Sequence, residues 1–288
     1  MTILPSSAVP AADGLLASLD AEQRPAATLP DGPAQIIAPA GSGKTTTLIA
    51  RLGVLGRGVA ADRIGVVTFN RDAAAELAAR IASRLAPDVP GAAAIEVRTL
   101  HAMARQVLLD TGRPVRLLPD RLPPLRAARR RALAGLPGVA DGDDPPPEPP
   151  DPAALDTIVS AWKVEGRPPP PEAAATVDAF AALMAIGGQI DVDDLVVGAV
   201  AALEADPRLR SRWQARFSHL CVDEFQDVDA AQLRLSFGCW PHPRTTSLSL
   251  VMMISRSSRL AHMGPPSPRE SGRSAKVLKA AAVADPPS

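Results

Sequence analysis

Three features of the sequence predict an α/β fold with a parallel sheet. Short apolar runs alternate with helix-period patterns, a glycine-rich turn joins the first run to its helix, and an acidic pair closes the last run. The first run is Ala34 to Ala38, followed by PAGSGKTTT and a helical stripe through Leu48, Ile49, Leu52 and Leu55 that stops at Gly56 and Gly58. A second strand, Ile64 to Phe69, feeds a helix with Ala73, Leu77, Ile81 and Leu85 on one face. A third, Ile95 to Arg98, feeds another through Met103 and Val107.

The pattern weakens between Gly112 and about Gly188. A basic helix candidate (LRAARRRALAGL) is followed by six prolines between Asp141 and Pro152 and by Pro168 to Pro171, clusters that read as extended linkers. Helices are then expected near Asp193 to Ala205 and Pro207 to Arg216, before a last strand, His219 to Val222, that runs into DEFQD. The expected organisation is one α/β domain in two pieces, residues 1–111 and 191–235. A helical, proline-rich insertion over 112–190 separates them, and an aberrant tail over 236–288 follows.

Composition excludes several classes. The 31 basic and 31 acidic residues of the 288 cancel, so a polybasic nucleic-acid binder is ruled out as a whole-chain description and any such site is local. Cys221 and Cys239 have no Cys-x-x-Cys spacing, which removes a zinc site and a disulfide framework and fits a reducing, cytoplasmic compartment. The first 20 residues lack a cationic segment ahead of an apolar one, and no apolar run approaches the roughly 18 residues of a membrane span.

Ala38-Pro39-Ala40-Gly41-Ser42-Gly43-Lys44-Thr45 fits the phosphate-loop pattern, with Ala38 where the commonest form begins with glycine. Backbone N–H groups of Gly41, Ser42 and Gly43 can wrap a phosphate, the Lys44 ammonium can sit on the β/γ oxygens, and the Thr45 hydroxyl can ligate Mg²⁺. Asp223 and Glu224, at the end of an apolar strand, complete such a site: Asp223 holds Mg²⁺ through water, and Glu224 orients and deprotonates the attacking water. Other residues read two ways from sequence alone. Phe69 suits either a core or a base-stacking platform, and His101 either a helix start or a contact. Arg126, Arg129, Arg130 and Arg131 suit a solvated face or phosphate contacts, whereas Cys221, Trp162 and Trp213 read as core.

In order along the chain, LDAEQ (Leu19 to Gln23), APAGSGKTTT, VTFNRDAAAEL (Val67 to Leu77), VRTLHAMA (Val97 to Ala104) and VDEFQDVDAAQ (Val222 to Gln232) resemble the motifs of the UvrD, Rep and PcrA branch of superfamily 1 DNA helicases. The resemblance covers about residues 15–235. It implies a RecA-like domain of an ATP-dependent 3′→5′ helicase that uses ATP and Mg²⁺ and binds single-stranded DNA. It also implies that Gln23 contacts adenine, that Ala38 to Thr46 hold the nucleotide, and that Gln226 and Asp227 link that site to the DNA channel. Thr68, Phe69 and Asn70 would line the single-strand path, and Thr99 and His101 would meet the DNA backbone or couple it to ATP.

After Leu235 the family pattern should run into a strand ending GDDDQ, which does not occur. Residues 236–288 carry seven basic and two acidic residues against 24 and 29 in the preceding 235, with many serines and prolines and no sustained period. Met252, Met253 and Ile254 are encoded by ATG, ATG and an AT-initial codon. Reading each third base with the next two gives GAT twice, an Asp pair with no choice of codon. With GTG for Val251 and CTG for Leu250, the usual GC-rich choices, Gly-Asp precedes this pair, and an ATC-AGT-CGA-TC reading of Ile254 to Ser257 continues with Gln-Ser-Ile, so the shifted frame can spell GDDDQSI. A frameshift near residues 235 to 236 is the expectation, with a tail that does not pack and single-strand binding that is weak. A divergent tail that happens to permit the motif is the other reading.

Overall fold

The computed structural model describes residues 12–31, 34–39, 41–135, 148–239, 249–256 and 279–282, with backbone alone at Ala12, Asp13, Gln226, Phe237 and the last two of these segments. In chain order the elements are α1 (Ala12–Ala17), α2 (Gln23–Ala27), β1 (Ala34–Pro39), α3 (Lys44–Leu55), β2 (Ile64–Thr68), α4 (Arg71–Leu85), β3 (Glu96–Thr99) and α5 (Leu100–Leu109). There follow α6 (Leu122–Ala134), α7 (Pro152–Glu165), α8 (Pro171–Gly187), α9 (Val192–Ala205), α10 (Pro207–Arg216), β4 (His219–Val222), α11 (Ala230–Gly238), β5 (Ser249–Arg256) and β6 (Lys279–Ala282). The chain divides into two compact units. The first comprises residues 1–99, 211–228 and 240–288, the second 100–210 and 229–239, so α10 crosses the division.

The first unit holds the sheet, ordered β3-β2-β4-β5-β1-β6. The first five strands run parallel and β6 pairs antiparallel with β1. Every residue of β2 and β4 is buried, as expected of parallel strands covered on both faces, whereas three of the four residues of β3 at the edge are half-buried. Ile36, Leu48, Ile49, Leu52, Ile64, Val66, Leu77, Ile81 and Leu85 form one core, which explains why the α3 and α4 patterns carry apolar residues every three to four positions.

The second unit is helical. Leu125, Leu155, Val159, Val177, Phe180 and Met184 from α6, α7 and α8 make its core, and Trp162 packs against them. The proline clusters end in helix starts: Pro152 and Pro171 occupy the first turns of α7 and α8, where the missing N–H costs nothing. Asp151 caps α7 by accepting the Ala153 and Ala154 N–H groups at 2.8 and 2.9 Å.

The expectation of a tail that does not pack is corrected where the tail is described. α11 runs on through Gly238, and Ser249–Arg256 forms β5 inside the sheet, with Val251 level with Ala34 on β1 and with Cys221 on β4. The physical reason lies in Leu248 to Ile254, an uncharged β-prone run, and in the demand of β1 and β4 for a backbone partner between them. The other tail residues lie outside the described ones.

Candidate functional site

The loop between β1 and α3 sits where the sheet presents the C-terminal ends of its parallel strands. Ala38 is fully buried and belongs to β1, so the position that often carries glycine here is a strand residue packed in the core. Pro39 ends the strand, and its carbonyl accepts the Ser42 N–H at 3.3 Å. Ala40 lies outside the described residues. Gly41 and Gly43 have φ of 73° and 78°, a region costing an L side chain roughly 1–2 kcal/mol. At Gly43 there is also no room: an added Cβ would stand 2.5 Å from Gln23 Nε2.

Lys44 opens α3, with its side chain nearly buried and Nζ 3.9 Å from Glu224 Oε1. Thr45 and Thr46, in the first turn, are half-buried. Thr47 is buried, and both its N–H (2.9 Å) and its hydroxyl (3.1 Å) donate to the Gly43 carbonyl. The Ser42 hydroxyl is buried with no hydrogen-bond partner among the described residues. A glycine-permitted turn, an orphaned hydroxyl and a lysine at a helix N-terminus together fit a nucleotide phosphate.

β4 delivers the carboxylates. The Asp223 N–H donates to the Val67 carbonyl at 2.8 Å, continuing the pairing of β4 with β2 by one residue, and Asp223 Oδ1 accepts the Glu224 N–H at 3.1 Å. Burial, then the neighbouring Glu224 charge, push the Asp223 carboxyl above its ordinary value, against the opposing Glu224 N–H and Lys44 ammonium. Glu224 takes φ 51° and ψ 45°, the one positive φ outside glycine among the described residues, a conformation costing of order 1–3 kcal/mol that concentrates at functional sites. Among those residues no group of three or more His, Cys, Asp or Glu could hold a metal by itself. Mg²⁺ bound through nucleotide phosphates, one carboxylate and a threonine hydroxyl needs no such group, so Thr45 and Asp223 fit the ion.

Gln23 is buried and engaged within the protein. Its Nε2 donates to the Ser42 carbonyl at 2.8 Å and its Oε1 accepts the Asp20 N–H at 3.2 Å. Gln226 and Asp227 lie in a short 3-10 turn, Phe225–Asp227; the Gln226 side chain is outside the described atoms.

At the ends of β2 and β3, Thr68 and Thr99 are buried, and the Thr68 hydroxyl donates to the Asn70 carbonyl at 3.1 Å. Asn70 caps α4, its Oδ1 accepting the Ala73 N–H at 2.8 Å, so one of its groups already serves the fold. Phe69 is 47% exposed, which removes the core reading for it. His101 is half-buried in the first turn of α5 and belongs to the second unit. Trp213 is buried, as a core reading expects.

Two charged clusters escape sequence reasoning. In the first unit Arg51 is buried, donates to the Leu29 carbonyl, and lies 4.0 Å from Asp31, whose Oδ1 is 3.2 Å from His219 Nε2. Burial pushes the Cys221 thiol up to about 12 despite Arg51 nearby. The available signal was an arginine on the apolar stripe of Leu48, Leu52 and Leu55. In the second unit Lys163 and Arg121 bind Asp191, Asp193, Asp194 and Asp156.

A family model described as UvrD/REP helicase N-terminal domain matches residues 19–133 and 152–250. The chain is 34% identical over 254 residues to the ATP-dependent DNA helicase UvrD2 of Mycobacterium tuberculosis, covering 78% of this chain and 35% of that protein. It is 30% identical to UvrD1 of the same species, covering 77% and 30%, and 30% identical to PcrA of Leuconostoc citreum, covering 73% and 29%. The chain thus spans about a third of these relatives. Among the described residues no helix is long and apolar enough to cross a membrane.

Proposed function

The chain belongs to the UvrD/REP helicase N-terminal domain family, and from that premise we propose that it is the ATP-binding portion of a DNA helicase translocating 3′→5′ on single-stranded DNA. The observation that carries the reading is the convergence of the Gly41–Thr45 loop with Asp223 and Glu224, where the Lys44 ammonium lies 3.9 Å from the Glu224 carboxylate. Loop N–H groups and Lys44 would bind the phosphates, and Thr45 and Asp223 would hold Mg²⁺, which would supply positive charge against the phosphate oxygens. Glu224, partly exposed and fixed by its left-handed backbone, orients and deprotonates the attacking water. Gln23 has one N–H and one lone pair left for adenine.

For DNA, the exposed Phe69 supports a stacking surface at the end of β2, with Thr68, Asn70, Thr99 and His101 beside it in sequence. Two buried cysteines, Cys221 and Cys239, with no Cys-x-x-Cys spacing support a reducing, cytoplasmic setting. The purified 288 residues by themselves are expected to hydrolyse ATP very slowly and not to unwind DNA, because an arginine finger from a second motor domain is worth about 10³–10⁵ in rate. The forced Asp pair in the shifted frame supports a frameshift near 235 to 236 as the origin of the tail, which resequencing the coding DNA there would test. A second reading, a non-catalytic fragment that binds ATP and single strands, is separated from the first by DNA-stimulated ATP turnover. The primary test is Mg²⁺-ATP binding: wild type binds, Lys44→Ala binds far less, and equal binding by both overturns the site. Robust unwinding of a 3′-tailed duplex by the purified chain would overturn the expectation of inactivity.

A further inference from the structure

We propose that Gln23 is a positioning residue for the phosphate loop, holding the Ser42 carbonyl so that phosphate binding depends on Gln23 even when no base is present. The inference rests on the ATP-site reading but concerns a different contact from adenine recognition.

Both ends of the Gln23 amide are assigned by chemistry. The Ser42 carbonyl can only accept, so the atom 2.8 Å from it is the NH₂; the Asp20 N–H can only donate, so the atom 3.2 Å from that is the oxygen. Asp20 returns the contact, its Oδ1 accepting the Gln23 and Glu22 N–H groups at 2.8 and 3.0 Å. The start of α2 and the Gln23 side chain therefore form a closed clamp whose free end grips the loop. Gly43 is shaped around it, since a Cβ there would fall 2.5 Å from Nε2.

The consequence for phosphate follows from the planar trans peptide. In the unit joining Ser42 to Gly43, the carbonyl and the N–H point in opposite directions. Fixing the Ser42 oxygen on Gln23 turns the Gly43 N–H away from Gln23. On the other side, the Gly43 carbonyl is tied to Thr47 by two hydrogen bonds. The Gly43 peptide is thus held from both flanks, and its N–H is presented without reorganisation when a phosphate arrives. Because the amide keeps a second N–H and a second lone pair, a base can bind the same group without breaking the clamp, and base contact and loop geometry become coupled.

The test uses Mg²⁺-tripolyphosphate, which has phosphates and no base, alongside Mg²⁺-ATP. Gln23→Met removes the donor while keeping a neutral, similarly long side chain; Gln23→Ala, a better helix former, is the second variant should the first not fold. Both are expected to weaken tripolyphosphate binding about three- to tenfold, the range a single hydrogen bond supports, and ATP binding by more. Amide exchange should quicken in the loop peptide around residues 41–47 and stay unchanged in β2 and β4. Wild-type affinity of the variants for tripolyphosphate, with weakened ATP binding, would make Gln23 a base reader only and overturn the proposal. Failure of the ATP-site reading is distinct: Lys44→Ala would then bind tripolyphosphate as the wild type does.

Discussion

Replacing Lys163 by methionine probes the charged network that unites α6, α7 and α9 in the second unit. Lys163 Nζ lies 2.8 Å from Asp191 Oδ2 and 2.7 Å from Asp194 Oδ2. Asp191 is fully buried, and its Oδ1 accepts the Asp193 and Asp194 N–H groups at 3.1 and 3.0 Å as the cap of α9. Methionine fills the stem volume but leaves this carboxylate, beyond its two backbone N–H donors, with Arg121 as its cationic partner, at 3.4 Å and itself occupied by Asp193 at 2.6 Å and Asp156 at 2.8 Å. Removing one partner of a buried pair costs about 3–5 kcal/mol; with Arg121 still near, the lower end, about 3 kcal/mol, is expected. Asp194 adds little because water reaches it.

The assay is urea unfolding of the full chain, wild type against Lys163→Met, Asp191→Asn and the double variant. Asparagine preserves the cap, so the double variant removes charge from both sides and should recover at least half of the single loss. A pH series supplies the sign. Burial pushes the Asp191 carboxyl up, but the Lys163 hydrogen bond, the Asp194 N–H and the Lys163 and Arg121 charges hold it below 3.8. Its stabilising contribution is therefore present above pH 3.8 and lost as pH falls through the lower folded value, and Lys163→Met should flatten this loss. A cost below about 1 kcal/mol, or a double variant no more stable than Lys163→Met, would refute the reasoning.

Burial, offset in part by the Asp31 contact, lowers the His219 pKa below 6.5, so its contribution is full above pH 6.5 and lost as pH falls from there through the lower folded value; His219→Gln should lessen this acid sensitivity in thermal melts between pH 5.5 and 8. Because burial and Glu224 raise the Asp223 pKa, its ionised form at neutral pH costs stability, and Asp223→Asn should raise the melting temperature without nucleotide while losing the stabilisation that Mg²⁺-ATP confers. Phe69→Ala should weaken single-strand binding by ~1–3 kcal/mol, read by fluorescence anisotropy at fixed salt, with the melting temperature unchanged because the ring is exposed; unchanged affinity would remove Phe69 from the DNA path.

Local chemistry carries across from sequence to structure where a residue's role is decided by its neighbours in the chain. The alternation of apolar runs and helical stripes determined the α/β class, because burial of both faces of a parallel strand and of one face of its flanking helix is written in periodicity. The Gly-x-Gly-Lys-Thr spacing determined the loop, since its dihedrals need glycine wherever it occurs, and Asn70 and Asp191 are cap residues by type as well as by observed geometry. Contacts across long sequence separations were decided only by the tertiary structure. Gln23 meets Ser42 only because α2 packs beside α3, and Lys163 meets Asp191 only because α7 and α9 pack together. The tail shows the difference most directly. Read as a sequence it had no place, yet Ser249–Arg256 completes the ladder between β1 and β4, because backbone hydrogen bonding asks of a strand only that it be extended and able to pair.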